Sequence, residues 1–405
     1  MSFLSYPRTA EQKQLLETAA SLADRFAERA ARYDWEGRFP VENFKDLHEA
    51  GYLTLSLPRE LGGQGASLLD LVHAQYRLAQ GDASTALVVT MHLMHSGRLV
   101  EGRGELPPVI EQLCRDVVEN GAMINSAVSE PATGSPSRGG RPQTTARRQP
   151  DGSWRIDGRK TFTTGSHALS YFIVGCSIED AGGAEAGLPA LKSERGNFLV
   201  PKSVEGVRIE DTWNTVGMRE TGSNDLVLEG VHLGAEAYLD EQLPAIPSIQ
   251  TKQGVWGLVL ASVYLGIAQA ARDEAVRFAR SRRPNSLKQQ SIATVPHIQD
   301  KIGRIEVLLL ESKASLFGLA EHYSEDNSNV ESALVGAVKY LATNNAIEII
   351  DLSMRVAGAA SLALSSPLQR YYRDIRAGLH NPPMDDVALA ALAKRALEDP
   401  TEHAK

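Results

Sequence analysis

The segment from Ser129 to Ser135 has the residue types of a loop that binds a flat ring or phosphate oxygens. A Glu130-Pro131 pair opens the segment as a turn, and Gly134 lets the backbone approach a ligand because it has no Cβ atom. Exposed backbone N–H groups and the hydroxyls of Ser129 and Ser135 can donate hydrogen bonds to such a ligand. The same composition is typical of an ordinary turn, so the segment alone leaves both interpretations open.

A second pair of residues, Phe162 and Thr164, lies further along in the segment GRKTFTTG. Residues two apart in an extended strand point to the same face, so an aromatic plane and a hydroxyl donor would lie side by side. That combination could form a wall for a stacked aromatic ligand. A half-buried strand carries the same alternation for packing alone, and the residues do not decide between the two.

The C-terminal stretch RYYRDIRAGLHNPPMDD contains the candidates for acid–base chemistry. His380 is a histidine, the residue type that most often exchanges protons near neutral pH. Asp385 and Asp386 could act as carboxylate bases. Each has a structural alternative, since a histidine can end a helix before Asn-Pro-Pro and the aspartates can stabilise the start of the next helix.

Metal chemistry has little support in the sequence. His92 and His95 are spaced as one face of a helix, but a zinc site needs a third and a fourth ligand, so helix packing is favoured. Cys114 and Cys176 are isolated, which predicts neither a zinc ribbon nor a disulfide framework and fits a reducing compartment. No GxGxxG follows a predicted strand, so a Rossmann-type nicotinamide site is not expected.

The composition is that of an ordinary globular protein. The 405 residues are 42% hydrophobic and 23% charged, with a formal net charge of −8. An acidic balance argues against nucleic-acid binding, because contacts to phosphates need a basic surface. The apolar runs are too short for a membrane span and the N-terminus lacks a signal-peptide pattern, so we expect a cytoplasmic protein without a membrane partner.

Three kinds of segment must position the candidate residues. In residues 1–121, apolar residues recur at three- and four-residue steps, which predicts an N-terminal helical domain. In residues 122–240, short β-branched and aromatic runs alternate with turns, which predicts a small β-barrel. Residues 241–405 are helical again and predict a four-helix bundle. The expected fold class is therefore α+β multidomain, with ligands bound where the barrel meets the helices.

Five motifs in this order resemble the acyl-CoA dehydrogenase family of FAD enzymes. They are Leu47–Ser67, Ser129–Ser135, Asp157–Gly165, Gly217–Ser223 and Pro367–Arg376. Each motif alone is weak, but the five together, in a helix–barrel–helix context, cover nearly the whole chain. The resemblance implies a flavin-dependent oxidoreductase.

By this resemblance, six positions in the turn and the strand are expected to contact the cofactor FAD: Val128, Ser129, Gly134, Ser135, Phe162 and Thr164. Phe162 replaces a usual tryptophan and keeps an aromatic face, whereas Pro136 replaces a usual aspartate and changes the turn.

The sequence FARSRRPNS contains a second expected cofactor contact. The family is similar in building its flavin site across a dimer contact, so Arg280 or Arg282 would face the FAD pyrophosphate of a neighbouring subunit, and a homotetramer is expected. The alternative is that these arginines are a solvated helix end near the negative pole of the helix dipole.

The glutamate that removes a substrate proton in the resembled family is missing here. The two places where the family keeps it are occupied by Pro382 and Trp256. Neither side chain is a base. If the protein oxidises acyl thioesters, His380, Asp385 or Asp386 would have to remove the α-proton.

Three functions stay open at this point. The favoured one is α,β-dehydrogenation of an acyl-CoA-type thioester, with an electron-transfer flavoprotein as the electron acceptor. The second is a two-component monooxygenase of the same fold, which takes reduced FAD or FMN from a flavin reductase; His380 would then assist the oxygen chemistry and His92 would line the pocket. The third is a catalytically inactive flavin-binding scaffold.

Overall fold

Five helices form the N-terminal part of the protein. The computed structural model describes residues 6–102, 104–133, 139–180, 186–191, 193–243, 253–325 and 330–398. The helices are α1 Ala10–Glu36, α2 Val41–Glu49, α3 Leu68–Leu78, α4 Ala83–Val100 and α5 Pro108–Asn120. Helices α1 and α3 both begin with a capping box, in which Thr9 and Ser67 exchange hydrogen bonds with the residue three positions on.

The central part is one seven-stranded sheet. Its strands are β1 Met123–Ala127, β2 Thr145–Arg148, β3 Trp154–Thr163, β4 Leu169–Asp180, β5 Arg195–Pro201, β6 Val207–Glu210 and β7 Asn224–Leu233. They lie in the order β1-β4-β2-β3-β7-β6, and β5 pairs with β4. Strand β4 runs parallel to β1 and β2, whereas the other pairs are antiparallel. The end of β3 therefore lies next to β7, where two of the sequence motifs meet.

Helices form the C-terminal part. They are α6 Leu239–Gln242, α7 Gly257–Ser281, α8 Pro296–Glu325, α9 Ser332–Ala357, α10 Pro367–Asp374 and α11 Asp385–Glu398. Helix α7 is buried along most of its length, because it packs against α9 and α8 on one side and against α3 and α4 on the other. Apolar residues all round a helix predict such burial.

Polar contacts join the first helix, the sheet and α10 at one point. Arg373 of α10 donates to Asp34 at 2.9 Å through Nη1, and Asp374 accepts a hydrogen bond from the backbone of Met218 at 2.7 Å. A Cβ atom on Gly217 would lie 2.3 Å from the carbonyl oxygen of Arg373, so only glycine fits this approach. The GMRETGS motif is thus fixed against the C-terminal helices.

The architecture confirms the expected fold class of an N-terminal helical part, a central sheet and C-terminal helices. One large cluster of buried apolar side chains runs through all three. Within the described ranges, no helix is both long enough and apolar enough to span a bilayer.

Candidate functional site

A buried ion pair fixes the turn that follows β1. Lys160 Nζ of β3 donates to Glu130 Oε1 at 2.6 Å, and the two residues are 0% and 2% exposed. The same carboxylate accepts hydrogen bonds from the backbone N–H groups of Gln143 at 2.6 Å and Thr144 at 3.0 Å. Burial alone would raise the pKa of Glu130, but these donors lower it to about 2. The turn therefore carries a fixed, fully compensated charge.

The described part of this turn is joined to β3 by its backbone. The carbonyl oxygen of Ser129 accepts a hydrogen bond from the N–H of Thr161 at 2.9 Å. Val128 and Ser129, both expected to contact a flavin, are half-buried beside it. Gly134 and Ser135 lie outside the described residues, so their predicted contacts stay predictions.

Phe162 projects from β3 in an unusual backbone conformation. Its φ is 55°, in the left-handed region, and its side chain is 65% exposed. The pairing of β3 with β7 is irregular between Lys160 and Thr163, which accounts for the bend. A non-glycine residue held this way costs about 1–3 kcal/mol and is typical of functional sites. The bend presents an aromatic face outward that a regular strand would not.

Trp213 supports the exposed ring of Phe162, although the sequence analysis did not single it out. The two ring centroids are 5.9 Å apart and the planes meet at 81°, an edge-to-face contact. The indole N–H of Trp213 donates to the carbonyl oxygen of Met218 at 2.9 Å, which fixes its orientation. The only signal in the sequence was a tryptophan just before the GMRETGS motif, and its contact with Phe162 depends on tertiary structure.

Thr164 belongs to a short chain of hydroxyl groups. Its Oγ1 lies 2.9 Å from Oγ of Ser223, which in turn lies 2.8 Å from Oγ1 of Thr221. The carbonyl oxygen of Thr164 accepts a hydrogen bond from Nδ2 of Asn125 at 2.9 Å. The structure therefore brings together the turn after β1, the end of β3 and the GMRETGS motif.

His92 lies on α4 with both ring nitrogens occupied. Nε2 is 2.9 Å from the carbonyl oxygen of Leu53, and Nδ1 accepts the backbone N–H of Ile124 at 3.2 Å. Nδ1 is thus unprotonated and Nε2 carries the proton. Burial lowers the pKa of His92 to about 4. These contacts favour a neutral histidine that joins α4 to β1, and its catalytic assignment stays a prediction without support from them.

Trp256 occupies one of the two places where a carboxylate base is expected by resemblance. Its ring packs against α4 at Gly97, where an added Cβ would lie 2.3 Å from Cη2 of the indole. The indole N–H donates to Oε2 of Glu101 at 2.9 Å, and Oε1 of Glu101 accepts the hydroxyl of Tyr323 at 2.8 Å. Glu101, absent from the sequence-based candidates, is thus held by aromatic donors from two other helices.

The segment that carries His380 is anchored from behind. Buried Lys339 of α9 donates to the carbonyl oxygen of Gly378 at 2.6 Å, and Nδ2 of Asn381 donates to the hydroxyl of Tyr264. His380 itself is exposed, and its side chain forms no hydrogen bond with any other described residue. A rigid backbone thus presents a free imidazole, although no described contact links it to Phe162.

The other predicted site residues lie apart from this cluster. Asp385 accepts a hydrogen bond from Asn344 at 3.0 Å at the start of α11, where Asp386 is exposed. Arg280 and Arg282 are exposed at the end of α7, and their side chains have no ion pair within the described ranges. Their expected contact with a neighbouring subunit stays a prediction. Among the described residues, no group of His, Cys, Asp and Glu could hold a metal ion.

Comparisons with known proteins identify relatives along the whole chain. The "Putative acyl-CoA dehydrogenase YdbM" of Bacillus subtilis (strain 168) is 44% identical, over 96% of this chain and 98% of its own length. The "Amino sugar nitrososynthase DnmZ" of Streptomyces peucetius is 28% identical, over 93% and 90% of the two chains. The "Probable FMNH2-dependent monooxygenase SfnC" of Pseudomonas putida is 26% identical, over 98% of each.

Solved structures share the fold over nearly their full length. KijD3, solved with FMN and a dTDP-linked 3-amino sugar, is 25% identical with a TM-score of 0.81, and the match covers 98% of this chain and 96% of KijD3. Butyryl-CoA dehydrogenase from Megasphaera elsdenii is 19% identical with a TM-score of 0.84 and shows the fold alone, over 97% of this chain and 99% of its own.

Profiles of three acyl-CoA dehydrogenase domains match this chain in order. The N-terminal domain matches residues 9–104, the middle domain residues 125–231 and the C-terminal domain residues 258–381. The relatives differ in the reactions that their names state, so the family does not by itself fix the reaction. The chain belongs to the acyl-CoA dehydrogenase family of flavoenzymes.

Proposed function

We propose that this protein is a two-component monooxygenase that uses reduced flavin and dioxygen to oxygenate a small organic substrate. One observation carries the proposal: neither place where a substrate-deprotonating carboxylate is expected holds one. Trp256 fills the first place with an indole that is tied to Glu101, and Pro382 stands at the second. A dehydrogenation that removes an α-proton needs a positioned base, and an oxygenation does not need one at that place.

The side chains of the barrel fit a flavin ring. The exposed face of Phe162, supported by Trp213, offers a flat apolar surface of the kind on which an isoalloxazine can stack. Thr164 and Ser223 place hydroxyl groups beside it that can donate to ring heteroatoms. The strained backbone of Phe162 would be retained because it orients this surface.

A bound reduced flavin supplies the two electrons of the reaction, so that one oxygen atom enters the substrate and the other leaves as water. Phe162 and Trp213 would hold the ring plane, and the hydroxyl of Thr164 would orient its polar edge. His380, held on an anchored backbone, would donate and accept protons through its free imidazole.

Both FAD, the cofactor expected from the resemblance, and FMN, found in KijD3, fit the ring surface that we propose. A flavin reductase is the implied partner, because the reduced cofactor must be supplied to the protein. Exposed Arg280 and Arg282 would contact the phosphates of a flavin in a neighbouring subunit, within the homotetramer that we also propose.

A second candidate function is dehydrogenation of an acyl-CoA-type thioester with an electron-transfer flavoprotein as acceptor. It is favoured by the 44% identity to a protein named as an acyl-CoA dehydrogenase. His380 or Asp385 would have to remove the α-proton. Asp385 is bonded to Asn344, which leaves His380 as the better candidate.

One experiment separates the two functions. The purified flavin-loaded protein is titrated anaerobically with a panel of acyl-CoA thioesters while the absorbance of oxidised flavin is followed. In this anaerobic titration we expect no bleaching. In a separate aerobic assay with an added flavin reductase, we expect the protein to raise oxygen consumption above that of the reductase and flavin alone. Bleaching by any acyl-CoA would contradict the monooxygenase and establish the dehydrogenase.

A further inference from the structure

A cavity lies where α4, the start of α7 and the end of α8 come together. Its volume is about 420 Å³, and its lining includes Ser56, Gly97, Glu101, Trp256 and Tyr323. This volume lies within the range of pockets that bind small organic molecules. The function proposed above gives this cavity no role.

The carboxylate of Glu101 is the charged group on the inner wall of this cavity. Each of its oxygens accepts one hydrogen bond, from the indole N–H of Trp256 at 2.9 Å and from the hydroxyl of Tyr323 at 2.8 Å. Both donors are neutral, and Glu101 forms no ion pair within the described part of the chain. The carboxylate is therefore oriented by its neighbours while its charge is not cancelled by a direct partner.

The charged residues around the cavity favour a cationic ligand over an anionic one. Arg98, one turn earlier on α4, lies near enough for Glu101 to oppose the burial that lowers the arginine pKa. Arg59 at the cavity mouth is already paired with Glu11 at 2.9 Å. Glu60 at the mouth adds a second, exposed carboxylate. The lining thus carries two carboxylates, Glu60 and Glu101, against one arginine, Arg59, so a cationic group meets a net negative wall and aromatic faces.

The wall that Trp256 forms is rigid, because the indole is tightly packed. Its ring is 8% exposed and packs directly on the backbone of α4 at Gly97, where no side chain fits. Its N–H is fixed by Glu101. Carboxylate and indole are thus pre-organised, which lowers the entropy cost of binding a ligand between them.

We propose that this cavity binds the amino group of the substrate, as an alkylammonium held by Glu101 against the aromatic rings of Trp256 and Tyr323. Carboxylates pair with ammonium groups, and aromatic faces attract cations when water is excluded. This inference rests on the proposed monooxygenase and names its substrate class, a small organic amine.

The test is a binding measurement on the full-length protein, without oxygen or reductant. Benzylamine and its neutral isostere benzyl alcohol are titrated by calorimetry into the protein and into Glu101→Gln. We expect the unmodified protein to prefer the amine by roughly tenfold or more, since a hydrogen bond to a charged group has about this value. Glu101→Gln should lose the preference, whereas Glu60→Gln, at the exposed mouth, should keep it.

Equal binding of the two ligands to the unmodified protein, or no binding of either, would overturn the amine site without any need for a variant. A preference that survives in a folded Glu101→Gln, checked by its thermal melt, would overturn it as well. Because flavin turnover plays no part in this measurement, the two proposals fail separately. If the protein consumes oxygen but does not prefer the amine, only the proposed amine site is wrong. If it prefers the amine but an acyl-CoA bleaches its flavin, only the proposed monooxygenase function is wrong.

Discussion

The sheet around Lys160 and Phe162, where we propose that the flavin binds, and the helical part that carries Trp256 and Pro382 differ in how they keep the family pattern. In the sheet, the family motifs are kept: Lys160 donates to Glu130 at 2.6 Å, and the hydroxyl of Thr164 lies 2.9 Å from that of Ser223. In the helical part, Trp256 just before α7 and Pro382 between α10 and α11 stand where the resemblance predicts carboxylates, and Trp256 is bonded to Glu101. The comparison teaches that one part of the family pattern can be kept while another is exchanged, because the two are built on separate elements.

The largest expected effect is a loss of turnover, caused by a substitution in the helical part of the protein. Replacing His380 by Asn removes the proton-exchanging group while the segment stays anchored by Lys339 and Asn381. We expect reductase-dependent oxygenation to fall by about 10²–10⁴-fold, the usual contribution of a positioned acid–base group. The control is His322→Asn, an exposed histidine near the end of α8. Full activity in His380→Asn would remove this residue from the mechanism.

On the barrel side, the largest effect is expected on stability. Lys160→Met leaves the buried carboxylate of Glu130 without its cation, which should lower the free energy of unfolding by about 3–5 kcal/mol. Arg147→Met, which breaks the exposed pair with Glu179 at 2.8 Å, should cost less than about 1 kcal/mol. Denaturant titration compares the two. Similar losses would mean that the buried pair does not hold the turn.

A glycine-to-alanine change probes the packing of the helical side. Gly97→Ala places a Cβ inside the indole of Trp256, so we expect a loss of about 1–3 kcal/mol of unfolding free energy. Gly303→Ala on α8 meets nothing within 4 Å, and should be neutral or stabilising by up to about 1 kcal/mol. If Gly97→Ala behaved like this control, Trp256 would not be fixed against α4.

Two buried carboxyl groups should respond to pH in opposite directions. The pKa of Glu130 is lowered to about 2, so the stability it contributes is present above its unfolded value near 4.5 and is lost as the pH falls from there towards 2. Burial raises the pKa of Asp374, at the helical junction, to about 6. Its folded form prefers the proton, so stability should fall as the pH rises from about 4 to 6.

Unfolding titrations between pH 2 and 7 check both trends. Glu130→Gln should flatten the acid limb, and Asp374→Asn should flatten the decrease between about pH 4 and 6. Unchanged profiles in both variants would show that other groups govern the pH dependence.

The smallest effect is expected at Phe162, where a substitution can test backbone strain and flavin binding separately. Glycine accepts the left-handed backbone, so Phe162→Gly should stabilise the free protein by up to about 1–2 kcal/mol. The same change removes the stacking surface and should weaken flavin binding, measured by flavin fluorescence. Phe162→Ala serves as the control, because it loses the ring but keeps the strain. Tight flavin binding by both variants would place the cofactor elsewhere.

Local pattern in the sequence was enough for the fold class and for the barrel motifs. Apolar periodicity separates helices from strands because burial follows the repeat of each element, and the order of the five motifs identified the family. The prediction that Phe162 and Thr164 share one face of a strand does not hold, because β3 ends at Thr163 and Phe162 has a left-handed backbone. Their contact with a flavin stays a prediction. Helix packing was the favoured interpretation of His92 and His95, and the two hydrogen bonds of the His92 ring fit it.

Tertiary structure alone decided the side-chain contacts at the candidate site. The contacts of Trp256 with Glu101 and of Trp213 with Phe162 join residues that lie far apart in the chain and follow no periodic pattern. The left-handed bend at Phe162 and the tautomer of His92 likewise depend on neighbours from other elements. Local sequence determines which elements form, because propensity and periodicity act over a few residues. The packing of those elements determines which side chains come into contact, and these contacts determine the chemistry of the site.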